Sequence, residues 1–185
     1  GRLGHSEIAR PDMTLNQGDG AITVAAFKMV DEFPPQVRVT CVSAGQWHTA
    51  IVTADGGVWT WGDPRAHLGH RTQDCTHAPT RVELLSSQRI TSVACGGMST
   101  TITVSAEGSL YQLGGGVWQN SSPAAGGAGT VNGPIPMPAD AAPIRSVSTG
   151  GESFAAVDAK GTLYTWGKGQ PVAPTKLAAL SERVV

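Results

Sequence analysis

The sequence predicts an all-β protein, a partial β-propeller built from four-stranded blades. The first reason is repetition, because residues 44–62 recur as residues 95–114 and 149–167. The second is that each copy has the pattern of two short strands around a glycine turn. The third is the spacing of about 50 residues between copies, which is typical of propellers and other repeat arrays. The 24 glycines and 12 prolines also suit a protein with many turns.

Two glycines bracket the repeat unit, Gly45 and Gly62 in the first copy. The opening glycine recurs at offsets of 51 and 105 residues, and the closing glycine recurs at offsets of 52 and 105. The second copy therefore carries one extra residue between its two glycines.

The first copy shows how a unit is expected to fold. Residues 49–53 are rich in β-branched side chains, and Asp55-Gly56 then supplies a turn before residues 58–61. Asp-Gly between two such runs is a strong hairpin signal, since glycine tolerates the positive φ that these turns require. In the first copy the apolar pair Val39 and Val42 lies just ahead of the opening glycine, and the other two copies have an equivalent pair. These pairs predict a further strand in each unit. Three strands are thus visible in a unit, and the connection to the next unit has room for a fourth.

Large side chains recur at two positions of the unit. They are Trp61, Leu113 and Trp166, preceded two residues earlier by Trp59, Tyr111 and Tyr164. Stacked sheets need bulky side chains to fill the layer of about 10 Å between them. We therefore interpret these positions as packing and not as a ligand cage.

The unit resembles the RCC1 repeat, whose family forms seven-bladed propellers. The matching residues are Gly45, His48-Thr49, Thr53, Gly56, Trp61-Gly62 and Leu68-Gly69-His70, together with Leu3-Gly4-His5 near the start. The later copies depart from the motif, because the histidine position holds Ser99 and Ser153 and no Leu-Gly-His follows their closing glycines. The resemblance implies nucleotide exchange on a small GTPase, the activity of the founding member, or a place in a ubiquitin ligase, as in some relatives.

In order along the chain, residues 1–185 are expected to form one RCC1-like propeller segment. It divides into a partial blade (1–38), three blades (39–89, 90–143 and 144–183) and a stub (184–185). Residues 22–30 are predicted as an outer strand and residues 79–82 as an edge strand. A ring of seven such units needs about 350 residues. We expect the remaining blades to come from the same, longer chain or from a second chain.

Composition narrows the classes of function. Thirteen basic and 14 acidic residues give a net charge of −1, which argues against a strong nucleic-acid or anionic-membrane footprint. No run of about 18 apolar residues is present. Cys41, Cys75 and Cys95 have no disulfide-framework spacing, so we expect an intracellular protein, cytoplasmic before nuclear.

One cluster has the residue types of a metal site: His67, His70, Cys75 and His77. These residues lie in a connection between units, and His70 matches the loop histidine of the RCC1 motif, so we predict no metal and no cofactor. His48 is accompanied by no nucleophile at a strained elbow, and we expect no enzymatic activity. Whether the sequon at Asn120 is used stays open.

We therefore predict a non-catalytic protein–protein interaction scaffold within a larger protein or complex. Its partners would be other proteins, among them a small GTPase or a large assembly. Arg65, His67 and Trp118 are the candidate partner-binding residues, because they lie in connections and exposed Arg and Trp are favoured anchors. The alternatives are a guanine-nucleotide exchange factor for a small GTPase and the substrate-recruiting propeller of a ubiquitin ligase.

Overall fold

The computed structural model describes residues 13–15, 22–24, 30, 33–63, 68–70, 76–97, 100–113, 131–151 and 153–177. These residues form strands joined by turns, with a single 3-10 turn at Glu83–Leu85. The strands are β1 (Met13–Leu15), β2 (Ile22–Val24), β3 (Val39–Ala44), β4 (His48–Thr53), β5 (Val58–Gly62), β6 (Thr76–Arg81), β7 (Ile90–Cys95), β8 (Thr101–Ser105), β9 (Leu110–Leu113), β10 (Val131–Asn132), β11 (Ile144–Gly150), β12 (Ser153–Asp158), β13 (Leu163–Gly167) and β14 (Thr175–Lys176). The all-β prediction is confirmed.

The described strands form three four-stranded antiparallel sheets and one two-stranded hairpin. The first sheet has the order β3-β4-β5-β6, the second β7-β8-β9-β10 and the third β11-β12-β13-β14, while β1 pairs with β2. Each sheet is a simple meander, and the connection after each repeating hairpin supplies its outermost strand. The expected fourth strand is therefore present, and the partial propeller is confirmed.

The turn of the repeating hairpin depends on its glycine and on a polar residue that forms hydrogen bonds across the turn. In the first sheet Gly56 has φ +84°, and the Thr53 N–H donates to the Gly57 carbonyl at 2.9 Å. The Thr53 hydroxyl donates to that same carbonyl at 3.1 Å. In the third sheet the corresponding polar residue is Asp158, whose carboxylate accepts the N–H groups of Lys160 and Thr162, both at 2.8 Å.

Strand register corrects one assignment made from the sequence. Trp61 pairs with Thr49, and Leu113, at the same position of the unit, pairs with Thr101. The residue equivalent to His48 is therefore Thr100 and not Ser99, so the extra residue of the second copy lies before β8. Of the strand predicted over residues 22–30, residues 22–24 are described, as β2, and residues 25–29 lie outside the described residues. The outer strand of the first sheet spans Thr76–Arg81 and not residues 79–82 as expected. Pro79 lies inside that strand, which a sheet edge tolerates because no partner needs its missing N–H.

The core consists of two apolar layers, one between each pair of neighbouring sheets. The first layer contains Ala50, Val52, Val58, Val82, Leu85, Ile90, Val93, Cys95 and Leu113. The second contains Ile102, Val104, Leu110, Ile135, Ile144, Phe154, Ala156, Tyr164 and Trp166. Trp61, Leu113 and Trp166 are all buried, which confirms the packing role predicted for that position. No helix among the described residues is long and apolar enough to cross a membrane.

Candidate protein-interaction surface

The residues predicted to bind a partner, Arg65, His67 and Trp118, lie outside the described residues, as does the sequon at Asn120. They stay predictions. The surface features below are built from the part of the chain that the structure describes.

His70 is the one member of the candidate metal cluster whose side chain is described. The Thr60 hydroxyl donates to the Leu68 carbonyl at 2.6 Å, so its oxygen accepts from His70 Nε2 at 3.0 Å. Burial lowers the pKa of His70, and a hydrogen bond with the Thr60 backbone only partly offsets this. Within the described ranges no group of three or more His, Cys, Asp or Glu residues could hold a metal ion. His70 serves to fasten the Leu-Gly-His segment onto the first sheet.

A second polar group, formed by His48, Thr101, Cys95 and Ser43, lies buried between the first two sheets. His48 Nε2 is 2.7 Å from Thr101 Oγ1. The backbone N–H of Cys95 donates to Ser43 Oγ at 2.9 Å, and its thiol donates to the Ser43 carbonyl at 3.3 Å. These bonds link β4 and β3 of the first sheet to β8 and β7 of the second.

The protonation states of this buried group do not favour nucleophilic chemistry. Burial lowers the pKa of His48 to about 4, and burial raises the pKa of the Cys95 thiol to about 11. At neutral pH the imidazole is uncharged and the thiol keeps its proton, whereas a reactive cysteine needs the thiolate. The group therefore acts as a hydrogen-bonded clamp between sheets.

The clearest surface feature is a cleft of about 780 Å³ beside the turn that joins β4 and β5. We call it the turn cleft. Its lining residues are Pro34, Gln36, Val37, Arg38, Thr53, Ala54, Asp55, Trp59, Arg81 and Glu83. The cleft is thus formed by the β4–β5 hairpin, the segment before β3 and the end of β6 with the residues after it.

The turn cleft presents charged groups at its rim. Arg81 NH2 lies 3.4 Å from Asp55 Oδ2 in an exposed ion pair. Exposed pairs of this kind contribute only about 0–1 kcal/mol, so Arg81 can exchange its partner. The Thr53 hydroxyl and the Gly57 N–H hold the pKa of Asp55 below its usual value, with a smaller contribution from Arg81. Arg38 is exposed and forms no ion pair with a described residue.

An aromatic side chain, Trp59, also lines the turn cleft. Trp59 is half-buried, and Phe33 packs edge-on against it with the ring centroids 5.8 Å apart. Phe33 packs in the same way against Trp61 at 6.1 Å. An indole that lines the same cleft as two arginines offers the amphipathic contact that protein interfaces favour.

Sequence reasoning missed the turn cleft because its residues are far apart in the chain. Arg38 precedes β3 and Arg81 ends β6, and only the registers that pair Val39 with Thr53 and Trp59 with Arg81 bring them to one turn. The available signal was an arginine directly before the first strand of a unit, which also occurs at Arg89.

Residues 55–102 and residues 39–66 each match a model of the regulator of chromosome condensation (RCC1) repeat. The three sheets repeat the unit that these models describe. The chain belongs to the family of RCC1-repeat β-propellers. Its turn cleft is therefore a feature of an RCC1 blade.

Two curated relatives are similar to this chain in sequence, and one solved structure is similar to it in fold. The E3 ubiquitin-protein ligase HERC2 of Homo sapiens is 32% identical over 138 residues, which cover 72% of this chain and 3% of the ligase. The RCC2 homolog of Danio rerio is 32% identical over 138 residues, covering 71% of this chain and 27% of the relative. The structure of Prp20p from Saccharomyces cerevisiae, described with its binding to Gsp1p and histones, superposes with a TM-score of 0.58 at 20% identity, covering 78% of this chain and 39% of the Prp20p chain. The chain thus spans only a small part of the relatives that it matches.

Proposed function

We propose that this chain is a non-catalytic protein-interaction segment of an RCC1 propeller, and that the turn cleft is one of its docking sites. The observation that carries the proposal is the exposed Arg38 and Arg81 beside the half-buried Trp59. Arginine and tryptophan are the residue types most enriched among interface hot spots. These residues lie on or next to strands of one antiparallel sheet, so little backbone conformational entropy would be lost on binding.

The test is affinity capture with a variant in which the two positive side chains of the turn cleft are replaced by negative ones. The Arg38→Glu/Arg81→Glu variant is compared with wild type by quantitative mass spectrometry of captured proteins. Arg145→Glu is the matched control, because Arg145 is also exposed but lies on β11 of the third sheet. We expect at least one partner to be lost from the double variant and kept by the control. A partner set that is the same for all three proteins would contradict the turn cleft as a docking site.

Nucleotide exchange on a small GTPase is a second candidate, supported by the similarity to Prp20p, which binds Gsp1p. Release of a fluorescent guanine nucleotide from candidate GTPases tests it directly. Acceleration that depends on this chain would support exchange, and nucleotide release at the intrinsic rate would contradict it.

Recruitment of substrates to a ubiquitin ligase is a third candidate, supported by the similarity to HERC2. In this case a partner captured through the turn cleft would be ubiquitylated in cells, and the Arg38→Glu/Arg81→Glu variant would reduce that modification. We also propose an intracellular location, because Cys41 and Cys95 are free thiols.

A further inference from the structure

In the first layer, the segment Leu68-Gly69-His70 lies between Thr60 of the first sheet and Leu113 of the second. The Thr60 hydroxyl donates to the Leu68 carbonyl at 2.6 Å and lies 3.0 Å from His70 Nε2. A Cβ added at Gly69 would lie 3.2 Å from a methyl carbon of Leu113. The buried hydroxyl of Thr60 therefore finds both of its hydrogen-bond partners in this segment.

The equivalent position in the second layer lies between Gln112 and Trp166. Gln112 directly precedes Leu113, as Thr60 directly precedes Trp61, so Gln112 takes the position of Thr60 in the second sheet. Trp166 takes the position of Leu113 in the third sheet. No Leu-Gly-His follows the closing glycine of the second copy. The second layer thus has a longer polar side chain and a larger aromatic one at this position.

Gln112 and Trp166 lie on opposite walls of the second layer. Gln112 pairs with Ile102, and residues directly opposite each other in an antiparallel pair have their side chains on one face. Ile102 belongs to the second layer, and so does Trp166, which stacks on Phe154 with the ring centroids 5.4 Å apart. Both Gln112 and Trp166 are next to the closing glycine of their unit or one residue from it, so they lie at the same end of their sheets.

Three polar atoms of these two side chains are buried without a hydrogen bond to any described residue. They are Gln112 Oε1, Gln112 Nε2 and Trp166 Nε1. Both residues are only 1% exposed. Nearly all buried polar groups in native proteins have a partner, because burial removes the hydrogen bonds that water would make. Three such atoms on two facing side chains indicate one shared partner.

The chemistry of the three atoms defines that partner. The indole and the amide nitrogen only donate, whereas the amide oxygen only accepts, so the partner must both accept and donate. An ion does not fit, because the described side chains of this layer are apolar and a buried charge needs a counter-charge. Asp158, the buried carboxylate of the third sheet, lies at the turn end of β12 and already accepts four hydrogen bonds. Water has the required donors and acceptors and is small enough to be enclosed.

We propose that ordered water binds between Gln112 and Trp166 and joins the second sheet to the third. The Trp166 Nε1–H donates to the water, and the water donates to Gln112 Oε1. Gln112 Nε2 donates to the same group of waters. Buried waters of this kind make about three hydrogen bonds each to otherwise unpaired polar groups. Water thus satisfies the polar position of the second layer, as residues 68–70 satisfy it in the first.

A high-resolution crystal structure of the protein that contains this chain is the first test. We expect a water within about 3.2 Å of Trp166 Nε1 that is also hydrogen-bonded to the Gln112 amide. A direct hydrogen bond between Gln112 Oε1 and Trp166 Nε1, or protein atoms that bond both groups, would overturn the proposal.

The second test is NMR of the protein with ¹⁵N-labelled tryptophan. This chain has five tryptophans, and the signal that is lost in Trp166→Phe assigns the Trp166 indole N–H. In a ROESY spectrum we expect a cross-peak between this N–H and water that has the sign of a dipolar contact and not of proton exchange. Wild-type protein without that cross-peak would contradict a bound water.

Gln112→Met tests whether the amide holds the water. Methionine has a side chain of similar length but lacks both amide atoms, so we expect the water cross-peak of Trp166 to be lost. Tyr111→Phe is the matched control, because Tyr111 is on the opposite face of β9 and its hydroxyl donates to Gln88 at 2.9 Å. Circular dichroism checks that both variants fold. A cross-peak that persists in Gln112→Met, or that disappears in Tyr111→Phe, would show that Gln112 does not share the site.

Discussion

The backbone N–H of Ile144 donates to the carbonyl of Gly108 at 3.1 Å, joining the third sheet to the turn of the second. A Cβ at position 108 would lie 2.5 Å from the Ile144 nitrogen and 2.5 Å from Pro143 Cβ. The glycine is therefore required both by its φ of +81° and by the closeness of the neighbouring sheet.

Gly108→Ala is expected to destabilise the protein clearly. The left-handed backbone alone costs a non-glycine residue about 1–2 kcal/mol, and displacement of Pro143 and Ile144 adds to it. Gly150→Ala is the control, because nothing lies within 4 Å of its added Cβ. Urea unfolding of both variants measures the difference. Equal free energies of unfolding for the two variants would show that the turn does not hold the sheets together.

Stability should fall in mild acid because of His48. Its pKa is lowered from 6.5 to about 4 in the fold, so between these values the unfolded chain binds a proton that the folded chain does not. Stability is therefore full above pH 6.5 and decreases as the pH falls towards 4, by on the order of 3 kcal/mol in total. Burial also lowers the pKa of His70, which adds a loss of the same sign.

Chemical unfolding at several pH values tests the His48 contribution. His48→Gln should be less stable than wild type at pH 7, because it disturbs the bond to Thr101, but its stability should change less below pH 6.5. The idea fails if wild type and variant lose stability in parallel over this range.

Asp158 should stabilise the turn of the third sheet at all but very low pH. Burial raises its pKa, but N–H donors from Thr162, Ala142 and Lys160, together with the Tyr164 hydroxyl, outweigh this and hold the pKa below 3.8. The contribution is thus present above pH 3.8 and is lost as the pH falls through the lowered pKa of the folded state.

Asp158→Asn is expected to cost about 1–3 kcal/mol at pH 7, since the amide nitrogen cannot accept the bonds made to the second carboxylate oxygen. Asp140→Asn is the control, because Asp140 forms only an exposed ion pair with Lys176 at 3.7 Å and should change stability little. Thermal and urea unfolding measure both. A neutral Asp158→Asn variant would show that the four bonds contribute nothing net.

The thiols of Cys41 and Cys95 should differ in reactivity. Cys41 is half-buried, whereas Cys95 is buried and has a pKa raised to about 11. In a Cys75→Ser background at pH 8, we expect an alkylating reagent to modify Cys41 first and Cys95 only as the structure opens. Peptide mass spectrometry over time measures the two rates. Equal rates in the native protein would contradict the buried clamp, and equal rates in denaturant are the expected control result.

The fold could be predicted from the repeat because the signals in the repeat are local in the sequence. Each signal lies within one blade: the Asp55-Gly56 turn, the side-chain pattern of the two strands and the recurring Trp61 position. The assignment of Ser99 to the histidine position was wrong because the glycine spacing shows that the second copy has an extra residue but not where it lies, and only the pairing of Leu113 with Thr101 places it before β8.

By itself, the sequence determined the blade, its hairpin turn and the apolar layer, because these depend on residue spacing along a short stretch of chain. Only the tertiary structure decided which distant residues are neighbours: Arg38 with Arg81 at one turn, and His48 with Thr101 between two sheets. These relations depend on how neighbouring sheets pack, and packing joins residues whose separation in the chain carries no pattern.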